Sequence, residues 1–83
     1  MASVLEKVRD VVVAQLKVDP ADVIEEASLV DDLRADSLDI VDLTIALEEA
    51  FADQVEFEIR DEDAENIRTI GDIMKFLAEQ GIS

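Results

Sequence analysis

Apolar residues recur at helical spacing in three stretches of the chain. In the first, from Ser3 to Lys17, Leu5, Val8, Val12 and Leu16 follow one another at helical intervals, with Val4 and Val11 beside them. That period predicts an amphipathic helix. Ser3 and Glu6 have the spacing of a capping box at its start. Val11-Val12-Val13 favours a strand locally, but the flanking period argues for helix. The second stretch runs from Asp36 to Phe51, where Ile40, Leu43, Leu47, Ala50 and Phe51 share one face at about 100° per residue. In the third, Ile70, Ile73, Met74 and Leu77 form the inner face. Thr69 caps that helix, Asp72 completes a box-like pair, and Gly81 is a natural stop.

Turn chemistry fills the intervals. Asp19 followed by Pro20 is a cap followed by a proline at a first helical position, which predicts one short turn. Glu25 to Ala35 reads as a long loop with apolar anchors at Leu29, Val30 and Leu33. Asp36 can accept a hydrogen bond from a free backbone N–H of the following helix, and Asp36 and Asp39 both complement the positive end of its dipole. Asp61 to Asn66 predicts a short acidic helical turn. With no internal repeat, linker or low-complexity tract, residues 1–83 read as a single domain. The fold class is all-α, a bundle of three main helices plus one short helix.

The second helix carries a further apolar stripe. Leu38, Val41 and Ile45 fall within a sector of about 60°, nearly opposite the core face, flanked by Asp42, Glu48 and Glu49. Either another segment covers it, the Glu25–Ala35 loop being the obvious one, or it is a docking surface. In the second case the apolar residues give contact area and the carboxylates steer a basic partner.

Charge narrows the function. Twenty-two acids against seven bases give a net charge of −15. Such a polyanion repels nucleic acid and anionic membrane surfaces and attracts proteins with basic patches. It also repels itself, so salt, divalent cations or acidification should stabilise the fold. Half of the residues are hydrophobic (49%), enough for a small, largely aliphatic core, since Phe51, Phe57 and Phe76 are the only aromatics. There is no cysteine and no histidine, which removes thiolate chemistry and the commonest general base and metal ligand. No catalytic and no metal-binding residues are expected. No apolar stretch approaches membrane-spanning length and no signal-like start is present, so a cytoplasmic protein without membrane insertion is expected.

One residue stands out against this background. Ser37 lies where the acidic loop becomes the second helix, in Leu33-Arg34-Ala35-Asp36-Ser37-Leu38-Asp39. A catalytic serine needs a base and an oxyanion hole. Histidine is absent and no Ser-x-x-Lys surrounds Ser37, so the hydroxyl suits modification by another protein. The run Leu33–Asp39, followed by Val41-Asp42-Leu43 and Ala46-Leu47-Glu48-Glu49-Ala50-Phe51, resembles acyl carrier proteins of the bacterial or organellar fatty-acid type. The likeness extends to Gln15-Leu16, Val18–Val23, Ala27–Leu33, Asp61–Ile67 and Thr69–Asp72, nearly the whole chain.

The resemblance implies an acyl-carrier-like four-helix bundle. It implies that Ser37 receives 4′-phosphopantetheine from coenzyme A through a phosphopantetheinyl transferase, and that the arm's thiol carries acyl groups as thioesters for fatty-acid-synthesis enzymes. Asp36, Leu38, Asp39, Val41, Asp42, Ile45, Glu48 and Glu49 match positions the family uses for contact with partners, enzymes bearing basic docking patches. A monomer is expected. A phosphodiester at a helix N-terminus is electrostatically favourable, although Asp36 and Asp39 oppose it.

Two departures from the pattern qualify that reading. Arg34 stands where the family usually has glycine, so the loop bends differently there or the arginine folds over a carboxylate. The segment Ala52–Arg60 is a few residues longer than usual and lacks proline. Val55, Phe57 and Ile59 alternate with Glu56 and Glu58, which suggests an extended run; alternatively the helix continues, since Leu47, Phe51 and Val55 keep a four-residue step. The segment either lines or lids a cargo cavity, or is a longer loop with Phe57 as a core plug. These departures keep open a specialised carrier for a polyketide, unusual-lipid or secondary-metabolite pathway. An acidic adaptor or calcium buffer fits less well, because no EF-hand loop is present.

Overall fold

Helix α1 spans Val4–Leu16, α2 Ser37–Ala50, α3 Asp61–Asn66 and α4 Ile70–Glu79, with a 3-10 turn at Pro20–Asp22 between α1 and α2. The structure, a computed structural model, describes residues 4–82. The proposed Ser3 cap lies outside the described residues. Among the described residues there is no strand, only one antiparallel bridge between Ser28 and Thr69.

The starts of α2, α4 and the Pro20 turn, and the end of α4, follow from local hydrogen bonding. At the start of α2 the Asp39 N–H donates to Asp36 Oδ1 (2.8 Å) and the Asp36 N–H donates back to Asp39 Oδ2 (3.2 Å). These are two of the donors that a helix start leaves without intrahelical partners. Thr69 and Asp72 make the same reciprocal pair at α4. The turn at Pro20 begins with the Ala21 N–H donating to Asp19 Oδ1. At the other end of α4, Gly81 takes φ 91°. Its N–H donates to the Ala78 carbonyl, and the Ile82 N–H donates to the Leu77 carbonyl. This is a Schellman closure, with Ile82 buried as its apolar clasp.

The core is one cluster. Val8 and Val12 of α1, Leu43 and Leu47 of α2, and Ile70, Ile73 and Leu77 of α4 close around Val23, Leu29, Leu33, Phe51, Ile59 and Ile67. α1 packs chiefly on α2. Met74, expected on the inner face of α4, is only half-buried, and Phe76 packs against the core from the edge. Val30 is also not an anchor. It is 56% exposed, because Leu29 and Leu33 fill the interior and the turn between them, closed by Asp32 and Leu33 N–H groups on the Ser28 carbonyl, turns Val30 outward.

The longer segment after α2 is a loop, not a helical extension. Phe51 caps α2, and its carbonyl accepts from the Gln54 and Val55 N–H groups. Beyond that turn, burial alternates: Val55 and Phe57 half-buried, Glu56 and Glu58 exposed, Ile59 buried. Phe57 packs on Phe76 with ring centroids 6.1 Å apart, and the Ile59 N–H donates to Glu48 Oε1 (3.3 Å). The Lys7 ammonium lies 4.8 Å from the Phe51 ring centre and 3.7 Å from Asp53, tying α1 to the same turn.

Among the described residues, two other than glycine adopt left-handed backbone: Lys17 (φ 56°), just past α1, and Arg34 (φ 57°). Arg34 sits between buried Leu33 and Ala35, and the Ala35 N–H donates to the Leu29 carbonyl (2.7 Å). The bend at Arg34 brings both neighbours inward. An L-residue in this conformation is strained by about 1–2 kcal/mol, while glycine is not but loses more chain freedom on folding. Arg34→Gly is therefore expected to stabilise the protein by about 0.5–1 kcal/mol, read as a rise of a few degrees in Tm by circular dichroism. A fall in Tm would show that the arginine side chain stabilises the fold by more than its backbone costs.

Candidate functional site

Four hydroxyl side chains lie among the described residues: Ser28, Ser37, Thr44 and Thr69. Three are engaged. Ser28 Oγ accepts from the Asp31 N–H, Thr44 Oγ1 donates to the Val41 carbonyl, and Thr69 Oγ1 accepts from the Asp72 N–H. Ser37 is exposed, and its hydroxyl has no hydrogen-bond partner among the described residues. The reason is its position. Asp36 takes the cap, so Ser37 is the first residue of α2 and has no capping role of its own. The Ser37 and Leu38 N–H groups, unlike that of Asp39, also have no partner among the described residues, and both belong to the positive end of the helix.

The second apolar stripe is open. Leu38 is 69% exposed, and Val41 and Ile45 are each 49% exposed. The Glu25–Ala35 loop does not cover them, because Leu29 and Leu33 turn it towards the core. Asp42 and Glu49 are exposed too. Leu38, Val41, Asp42, Ile45 and Glu49 follow helical spacing and make one continuous face that begins beside Ser37. Asp36 is exposed at its tip.

Two of the expected contact residues are placed differently. Asp39 is half-buried and holds the Asp36 N–H; Glu48 is half-buried and holds the Ile59 N–H. Each has a structural task within the chain. The Asp39 pairing was visible as a spacing of three from Asp36. The Glu48 contact was not, because Ile59 lies beyond a turn whose course the local pattern leaves open.

On the other side of Ser37, Ile40 lies one turn along α2 and lines an open cleft with Val30, Ala64, Ile67 and Arg68. The cleft has a volume of about 380 Å³. It is bounded by α2, by α3 and by the loop tied to the α3–α4 connection through the Leu29 N–H bond to the Arg68 carbonyl. No group of three or more potential metal ligands occurs among the described residues, and no described helix is long and apolar enough to cross a membrane. An exposed hydroxyl thus stands at the head of a helix that displays an apolar and acidic face.

The family model described as "Phosphopantetheine attachment site" matches residues 6–77. The chain is 49% identical over 80 residues to an acyl carrier protein of Caulobacter vibrioides, covering 96% of this chain and 97% of the relative. It is 52% identical over 75 residues to one of Bdellovibrio bacteriovorus, covering 90% and 91%. It is 50% identical over 80 residues to one of Phenylobacterium zucineum, covering 96% of each. The chain belongs to the acyl carrier protein family. Family members bear a phosphopantetheine group and act as carriers that contribute no catalytic residues, so the chain is a carrier and not an enzyme. That role implies dealings with a phosphopantetheinyl transferase and with acyl-processing enzymes.

Proposed function

We propose that Ser37 is the attachment point, and that the carrier serves fatty-acid synthesis as a cytoplasmic monomer. The Ser37 hydroxyl attacks the pantetheine-side phosphorus of coenzyme A. A new phosphodiester forms as the pyrophosphate link breaks, adenosine 3′,5′-bisphosphate departs as the leaving group, and the serine proton passes to a base of the transferase. The arm then supplies a thiol on which acyl groups ride as thioesters. What carries this reading is the hydroxyl at the first position of α2, exposed and free of hydrogen bonds, in a chain of this family. The site fits the group: nothing in the described chain holds the Ser37 oxygen, and two free N–H groups stand at the same helix end. The cleft beside Ile40 offers apolar walls of Val30, Ala64 and Ile67 along which cargo can be shielded.

Recognition falls to the face that runs from Ser37 along α2. Leu38, Val41 and Ile45 give contact, and Asp36, Asp42 and Glu49 attract enzymes with basic docking patches. Asp39 and Glu48 support the same surface from within. Incubation with coenzyme A and a broad-specificity transferase should add one phosphopantetheine to the chain by intact mass, and no mass gain would overturn the reading.

Docking has its own test. Reversing Asp42 and Glu49 together, as Asp42→Lys/Glu49→Lys, leaves both internal carboxylate bonds in place. The kcat/KM of the transferase should fall about tenfold at low salt, with the difference shrinking as added NaCl screens the surface. Equal kinetics for variant and wild type at every salt concentration would remove this face from recognition. Asp36 is better tested by Asp36→Asn, because asparagine keeps the cap while deleting the charge.

A further inference from the structure

We propose that Arg34 pairs with the phosphodiester on Ser37 and thereby sets the direction in which the prosthetic arm leaves the protein. The inference rests on the assignment of Ser37 made above. Arginine is poorly suited to left-handed backbone, yet Arg34 holds φ 57°. Leu33 and Ala35 on either side are buried, 5% and 3% exposed, so the bend is pinned by packing and the arginine side chain is turned out to solvent.

The guanidinium is free. Asp31, Asp32 and Asp36 are close in sequence, but no ion pair or hydrogen bond to Arg34 occurs among the described residues. Asp32 Oδ2 instead accepts from the Ser28 N–H, and Asp36 Oδ1 from the Asp39 N–H. Arg34 is also the only base between Lys17 and Arg60. A phosphodiester on Ser37 would arrive at a helix end where the Asp36 and Asp39 carboxylates are each held by the other's N–H. The free Ser37 and Leu38 N–H groups offset part of that repulsion, and Arg34 supplies the one side-chain cation in this stretch. Residues three apart are separated by at most about 10 Å of chain, a gap that an outstretched arginine and the phosphate linkage close from both ends. The planar guanidinium can grip two phosphate oxygens at once, which fixes direction as well as distance.

Arg68 is the competing cation, since it lines the cleft beyond Ile40. The test uses the full ¹⁵N-labelled chain, apo and loaded with the unacylated arm, with loading verified by intact mass. On loading, the Arg34 Nε–H signal should shift and its exchange with water should slow about threefold or more. Both changes should reverse towards the apo values at 1 M NaCl. In the loaded protein, Arg34→Asn, which tolerates left-handed backbone without the charge, should move the ³¹P resonance and abolish its salt dependence. Arg34→Lys should restore part of that dependence, and Arg68→Gln should leave it as in wild type. An Arg34 signal identical in apo and fully loaded protein overturns the pairing, as does a ³¹P response that follows Arg68→Gln rather than Arg34→Asn. Absence of any mass gain instead overturns the assignment of Ser37, and this inference falls with it.

Discussion

Ser37→Ala should stop loading completely while leaving the fold as it is. With coenzyme A and a transferase, wild type should convert to one heavier species, and the variant should stay at the apo mass at any enzyme concentration. The prediction is all-or-none because no second hydroxyl among the described residues is available. Ser28, Thr44 and Thr69 each hold a backbone group, and none stands at the first position of a helix. The effect on stability should be small. The Ser37 oxygen is exposed and has no partner among the described residues, and alanine is a better helix former. The unfolding free energy should change by no more than about 0.5 kcal/mol, the range of an ordinary surface substitution. A variant that still gains the mass of the arm would move the attachment site elsewhere.

The second large effect concerns Phe51. Phe51→Ala should cost about 3–5 kcal/mol, a large share of the roughly 5–15 kcal/mol that holds a domain together. Phe51 is fully buried at the end of α2, and its carbonyl organises the turn that follows. Alanine keeps those backbone bonds but removes the ring from the core and from beneath the Lys7 ammonium. Urea titration followed by circular dichroism should show a much lower midpoint with an unchanged slope. The loss should be partly recovered in salt or millimolar magnesium, because the −15 charge repels itself and counterions relieve that repulsion. Lys7→Ala should cost only about 0.5–1 kcal/mol, since its ring contact is partly exposed. A Phe51→Ala midpoint close to wild type would mean that neighbouring aliphatic side chains refill the space.

These expectations draw unequally on sequence and structure. Caps were legible because their chemistry is local. Asp36, the Thr69–Asp72 pair and the Asp19-Pro20 turn each act over three residues or fewer. The bounds of α3 were legible as well, and so were the two apolar faces of α2, because helical period alone separates them. Whether the outer face was covered depended on where the 25–35 loop ran, and local pattern does not encode that course. Val30 shows the same limit: an apolar residue between Leu29 and Asp31 looks like an anchor until the turn that expels it is known. Glu48 reads as one more surface acid until Ile59 returns to it across the loop. Arg34 marked its position as unusual by type, but only the structure shows that the backbone there is left-handed and that the guanidinium folds over no carboxylate among the described residues.

The outer face of α2 also constrains traffic. From Leu38 to Glu49 it is about 16 Å long, narrower than the footprint of one globular enzyme. On the docking role proposed for it, two clients cannot sit on this face together, so each must leave before the next arrives. Such exclusive use favours shallow, quickly broken contacts of the kind that three aliphatic side chains and a few carboxylates provide.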